Sequence, residues 1–194
     1  MKIIYIMGKS SSGKDTIFNI LKEKLDVNTY VMYTTRPIRK DEIDGETYYY
    51  ISNEEMQEYI DGERKNQLIE YRTYQTVHGP WTYATISDKQ FDTKKDLIML
   101  GTLESYMKMK EHFSKELIPI YIEVEDGLRL ERALKREREQ KHPKYAELCR
   151  RFLADSEDFS EENIEKSGIN KRFENIDLNN CINEILYYLK NEKK

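Results

Sequence analysis

Three short runs along the chain are almost continuously apolar: Lys2 to Met7, Leu97 to Leu100 and Ile118 to Val124. A run of that length without alternation suits a strand covered on both faces, as in a parallel sheet. Helical patterns follow, with Ile17, Ile20 and Leu21 after the first run and Leu130, Ala133 and Leu134 after the third, spaced i, i+3, i+4. A fourth unit closes the chain. Phe173 to Leu178 reads as a strand, and Ile182, Ile185, Leu186 and Leu189 form the stripe of a final helix. Strand and helix in alternation predict a doubly wound α/β parallel sheet, with ligands at the carboxyl ends of its strands.

Two stretches break that alternation. From 32 to 85 the chain is rich in Tyr and Thr, alternates, and carries a His78-Gly79-Pro80 turn signal, which predicts a small, mostly antiparallel insertion. From 136 to 151 it is loaded with charge and interrupted by Pro143, which predicts a mobile helical lid. The expected organisation is one domain, with a core of 1–31, 86–135 and 152–194, an insertion at 32–85 and a lid at 136–151.

Composition narrows the function classes. Of 194 residues, 38% are hydrophobic and 35% charged, against a usual ~45–50% and ~25%. No apolar run approaches the ~18 residues a membrane-spanning helix needs, and the apolar start leads into a motif rather than a cleavage site. A cytoplasmic protein is expected, monomeric or homodimeric. The formal net charge of −4 offers no global attraction for nucleic acid, so any anion site must be local. Cys149 and Cys181 stand alone, without metal or disulfide spacing, and His78, His112 and His142 have no partner at useful spacing.

Gly8-Lys9-Ser10-Ser11-Ser12-Gly13-Lys14 is a local anion site. It satisfies the G-x-x-x-x-G-K half of the phosphate-binding loop pattern, directly after a predicted strand and before a predicted helix. The backbone N–H groups of such a loop curl round a β-phosphate, and Lys14 can bridge the β- and γ-phosphates. This predicts a P-loop NTPase-type sheet that binds ATP through Gly8 to Thr16. Asp15 stands where Ser or Thr is usual and Thr16 follows. Asp15 is thus either a Mg²⁺ ligand, directly or through water, or a favourable anion in the first helical turn, with Thr16 the alternative ligand.

The donor site leaves the acceptor open. Thr34 to Tyr50 contains Arg36 and Arg39 astride a proline-stiffened loop, and guanidinium forks suit a bidentate grip on phosphate. Tyr48 can add a hydroxyl donor or an aromatic wall, while Glu42 and Asp44 can order the loop or its arginines. Arg129, Arg132 and Arg136 fall at i, i+3 and i+7 and form a basic ridge beside the lid.

With these segments the sequence resembles the guanylate kinase family, whose phosphate loop is followed by T-T-R-x-P-R-x-G-E-x-[DN]-G-x-D-Y and then by a glutamate ahead of Tyr-Gly-[ST]. The likeness covers nearly the whole chain. It implies that Arg36, Arg39, Tyr48 and Tyr83 bind the acceptor monophosphate, and that Glu70, with Thr85 nearby, reads the guanine edge. Such a carboxylate can accept bonds from guanine N1–H and its 2-amino group. It also implies that lid-bordering arginines stabilise the transferred group, with Arg136 and Arg151 the best matches and Arg150 competing with Arg151. The chain departs from the pattern at Met32, at Ala84, in a longer hairpin between Glu70 and Tyr83, and in Leu97 to Thr102, which lacks the family's aspartate. A divergent paralogue is therefore expected, one that uses Lys14, Arg136 and Arg151 to move the γ-phosphoryl of MgATP to GMP or dGMP. The alternatives are a same-fold kinase with a different (deoxy)nucleotide or small phosphorylated acceptor, and a non-catalytic module that binds phosphorylated protein segments.

Overall fold

Successive residues of a strand face opposite sides of a sheet, so a run that is apolar at every position can be buried twice. In the computed structural model, which describes residues 1–76 and 79–192, the three apolar runs do this; His78 lies outside the described residues. Along the chain come β1 (Ile3–Met7), α1 (Lys14–Lys24), β2 (Val27–Thr29), β3 (Tyr33–Thr34), β4 (Tyr49–Tyr50), α2 (Asn53–Ile60), β5 (Leu68–Thr76) and β6 (Gly79–Ile86). There follow β7 (Asp96–Leu100), α3 (Leu103–Phe113), β8 (Leu117–Glu123), α4 (Asp126–Arg138), α5 (Tyr145–Asp158), α6 (Glu161–Ser167), β9 (Arg172–Glu174) and α7 (Leu178–Glu192). The main sheet has the order β2-β7-β1-β8-β9, with every pairing parallel.

Each face of that sheet carries its own core. Ile3, Tyr5 and Met7 join Leu97, Met99 and Tyr121 under Leu103, Tyr106 and Met109 of α3. Ile4 and Ile6 join Ile98, Ile120, Ile122 and Phe173 under Ile17 and Leu21 of α1 and Cys181, Ile182, Ile185 and Leu189 of α7. Burying one such Ile, Leu or Met side chain contributes ~1.5–3 kcal/mol, so this double layer is the main support of the fold. The carboxyl end of central β1 then delivers Gly8 to the rim of the sheet.

The insertion is a second sheet, β4-β3-β6-β5, in which β6 runs antiparallel to both neighbours and β3 pairs with β4 in parallel. It also holds α2, which the Tyr/Thr alternation did not predict. Ser52-Asn53-Glu54-Glu55 starts it as a helix cap, the Ser52 hydroxyl accepting from the Glu55 N–H at 3.0 Å. The stretch 136–151 comprises the end of α4, a turn and the start of α5.

Two expected features change. The last strand ends at Glu174 rather than Leu178, because Asp177 caps α7 by accepting from the Asn180 N–H at 2.8 Å. The expected stripe of Leu130, Ala133 and Leu134 is also displaced: α4 buries Arg129, Ala133 and Glu137, while the two leucines are only half-buried. A helix face with charges at its most buried positions faces polar partners, and here these are the phosphate loop and α5. Among the described residues no helix is long and apolar enough to cross a membrane.

Asn175, between β9 and α7, is buried and its Nδ2 donates to the Ser12 carbonyl at 2.8 Å. Removing it leaves that carbonyl without its partner. Asn175→Ala is expected to lose about 1–3 kcal/mol in urea unfolding; unchanged stability would show that this bond does not anchor the loop.

Candidate active site

The loop after β1 is shaped by two close approaches. A Cβ at Gly8 would stand 2.5 Å from the Ile122 carbonyl oxygen, and one at Gly13 would stand 2.4 Å from Asn175 Nδ2. Gly13 also has φ +85°, in the left-handed region, and so does Ser11 at 65°. Gly13 caps α1 without a side-chain hydrogen bond, so the helix N-terminus presents backbone N–H groups suited to an anion. Lys14 stands in that first turn with its Nζ 3.6 Å from Asp15 Oδ2, and both Asp15 and Thr16 are exposed beside it.

Helices α4 and α5 and the loop are joined through Arg129, whose side chain is only 1% exposed. Its Nε donates to Asp126 Oδ1 at 3.0 Å, and its Nη1 donates to Asp155 Oδ2 at 3.2 Å and to the Ser10 carbonyl at 3.3 Å. The guanidinium lies 4.1 Å from the Phe152 ring centre. Asp155 also accepts the Ser10 N–H at 2.7 Å, and Lys9 Nζ reaches Asp126 at 3.2 Å. Burial alone would raise the Asp126 carboxyl pKa, but hydrogen bonds from Lys9 and Arg129 hold it below its ordinary range. Thus α4, α5 and the loop share one charge-assisted network.

Above it is a cavity of about 520 Å³ lined by Ser10, Ser11, Arg39, Trp81, Arg136 and Arg151 among others. Arg136 Nη2 donates to Ser11 Oγ at 3.3 Å. Arg151 pairs with Glu147 at 2.8 Å on the cavity wall; Arg150 pairs with the same carboxylate but does not line the cavity. Hydrogen bonds from both arginines hold the Glu147 carboxyl at about 2. Arg132 donates instead to the carbonyls of Asn175 and Ile176.

In the insertion, Arg36 is 3% exposed and forms a two-pronged pair with Glu42, at 2.9 and 2.7 Å. Glu42 also accepts from the Arg39 N–H and from the Tyr50 hydroxyl, both at 2.8 Å, so it sets the loop that presents Arg39. Arg36 stands 5.5 Å from the Tyr48 ring centre, and Tyr48 meets Tyr83 edge-on at 5.6 Å. Burial raises the Tyr48 hydroxyl pKa. Glu70 is sealed, its side chain 0% exposed, and accepts from Thr85 Oγ1 at 2.8 Å. Arg72 Nη1 donates to both of its carboxylate oxygens, at 2.8 and 3.1 Å.

The structure therefore brings Ser10, Ser11, Arg39, Arg136 and Arg151 to one cavity and groups Arg36, Tyr48 and Tyr83 beside it, with Glu70 and Thr85 deeper in the insertion. Sequence reasoning did not single out Asp126, Asp155, Asn175 or Arg72, and took Arg129 only as part of the ridge. Arg72 had a readable signal, since residues two apart on a strand share a face with Glu70. Asp126 had one too, three residues before Arg129 on the same helix, whereas Asp155 depends on packing between distant segments and had none.

The family model for guanylate kinase matches residues 1–191. A guanylate kinase of Clostridium tetani is 35% identical over 126 residues, which cover 62% of this chain and 55% of that protein. One of Bacteroides fragilis is 25% identical over 123 residues, covering 63% of this chain and 59% of that protein. The aligned part thus spans little more than half the length of these relatives. A crystal structure of guanylate kinase from Anaplasma phagocytophilum superposes with a TM-score of 0.65 at 20% identity, covering 98% of this chain and 86% of that one, which shows a shared fold.

The loop that holds the Arg36–Glu42 pair carries its own pH dependence. Hydrogen bonds from Arg36, opposed by burial, lower the Glu42 carboxyl from 4.5 to about 2. A carboxyl depressed in the folded state confers stability that is full above its ordinary pKa and is lost as the pH falls towards the folded value. Acid should therefore destabilise the wild type more than Glu42→Gln between about pH 4.5 and about pH 2, read as urea unfolding at about pH 3 against about pH 7. Equal acid sensitivity would remove the Arg36–Glu42 pair from the account.

Proposed function

The chain belongs to the guanylate kinase family, and from that premise we propose that it transfers the γ-phosphoryl group of MgATP to GMP or dGMP, giving ADP and the nucleoside diphosphate. One observation carries the reading. Two residues of the phosphate loop, two lid arginines and the exposed Arg39 of the insertion line a single cavity, so a donor and an acceptor phosphate held by these elements meet there.

In this reading the backbone of Gly8 to Gly13 and Lys14 hold the β- and γ-phosphates. Arg39 grips the acceptor phosphate from a loop fixed by Arg36 and Glu42, and Tyr48 and Tyr83 wall that phosphate. Glu70 and Thr85 address the base. Arg136 and Arg151 stabilise the charge that spreads over the transferred group, which is the larger part of what a protein does in phosphoryl transfer. No general base is required, since a phosphate monoester with a second pKa of about 6 is already anionic and nucleophilic at neutral pH. Closure of α4 and α5 over the cavity keeps water from competing as acceptor.

Asp15 and Thr16 suit magnesium. They offer a carboxylate and a hydroxyl, hard oxygen donors, exposed in the first turn of α1 beside Lys14, and Mg²⁺ commonly combines one or two such ligands with waters and substrate phosphates. Bound there, the ion would neutralise charge on the β- and γ-phosphates.

A coupled ADP-release assay with a panel of monophosphates tests the proposal. GMP-dependent release is expected, with Lys14→Ala and Arg136→Ala each lowering kcat by about 10²–10³ and Glu70→Gln raising KM for GMP more than it lowers kcat. Release that ignores GMP, or turnover confined to another acceptor, would overturn it.

A further inference from the structure

The base subsite contains an arginine that this reading leaves without a task. Arg72 is 6% exposed at its side chain, and its Nη1 takes both oxygens of Glu70. Its other donors are poorly served. Nη2 reaches Met32 Sδ, at 3.8 Å, the guanidinium also interacts with the Tyr74 hydroxyl and stands 5.9 Å from the Tyr83 ring centre, and the buried Nε has no hydrogen-bond partner among the described residues.

A carboxylate accepts about four hydrogen bonds, and three of the Glu70 sites are taken from within the chain, two by Arg72 and one by Thr85. Guanine would present N1–H and its 2-amino group as adjacent donors, and a guanidinium presents a planar fork of the same chemistry. The base and Arg72 therefore compete for one acceptor.

We propose that Arg72 is an internal plug of the base subsite, which imitates the guanine edge on Glu70 and must leave before a guanine is read. The proposal rests on Glu70 being the carboxylate that reads the base. The fold offers an exit. β5 is an edge strand, and beside it an open groove of about 670 Å³ is lined by Glu70, Arg72, Tyr74, Glu104 and Lys108. The Glu104 carboxylate in that groove, which accepts from Lys108 Nζ at 2.8 Å, can take the displaced guanidinium as a second partner, and the orphaned Nε weakens its hold on the closed position. Guanine affinity is then set by exchange. A base with two adjacent donors replaces what Arg72 gave Glu70, whereas adenine, with an acceptor at that edge, leaves the buried carboxylate with the Thr85 hydroxyl alone.

Calorimetric titration of GMP and AMP into the wild type, Arg72→Lys and Arg72→Met tests this. Arg72→Met should bind GMP at least about tenfold more tightly, the value of hydrogen bonds to a charged group, with Arg72→Lys in between and AMP no tighter. Wild-type affinity for MgATP in each variant shows that it has folded; if Arg72→Met fails that check, Arg72→Lys alone decides. GMP affinity that is unchanged or weaker in the folded variants overturns the plug while GMP-dependent ADP release by the wild type leaves the acceptor reading standing. No GMP binding by any variant, together with no such release, overturns both.

Discussion

A guanidinium buried to 1% exposure has to be met by acids, and Arg129 is met by two from different elements, Asp126 at the start of α4 and Asp155 near the end of α5. Breaking such a pair from one side leaves an uncompensated buried charge, so α4, α5 and the Ser10 peptide of the phosphate loop are held in one arrangement. The donor end of the cavity depends on that constraint. It adds to the direct Arg136–Ser11 bond in setting where Arg136 and Arg151 stand relative to the loop.

The Arg39 end of the cavity repeats the device on a smaller scale. Arg36 is held by Glu42, and Glu42 in turn fixes the backbone of Arg39 and the hydroxyl of Tyr50. One arginine is spent on order so that its neighbour can be exposed at a set position. Between the two ends the doubly covered sheet provides rigidity, with β1 at its centre and the phosphate loop at its carboxyl end. Catalysis by positioning and charge needs little beyond two such ordered ends brought within reach of one another.

Much of this was legible in the sequence, and for identifiable reasons. The continuous apolar runs could be buried only on both faces, and Gly8 to Lys14 follows one of them directly, so sheet, loop and α1 followed from local pattern. α2 was also written there, as Ser52 and Glu55, but was hidden under the Tyr/Thr alternation. β2, three residues of mixed polarity at the sheet edge, carries no apolar run to read. The charged face of α4 was misplaced onto leucines because periodicity records hydrophobicity, and the partners that make burial of Arg129 and Glu137 tolerable are supplied by α5 and the lid turn, where Lys144 N–H bonds to Glu137. Arg36 shows the same limit. Its residue type suggested a phosphate grip and Glu42 a residue that could order the loop or its arginines, and the fold shows which arginine Glu42 holds with its side chain.

The proposed function requires that donor and acceptor phosphates share one cavity. Titration calorimetry with a dinucleotide that joins adenosine and guanosine through five phosphates tests it most directly. One molecule per chain is expected, bound more tightly than ATP or GMP alone and excluding both. Affinity no better than that of ATP, or GMP still able to bind alongside it, would contradict the account.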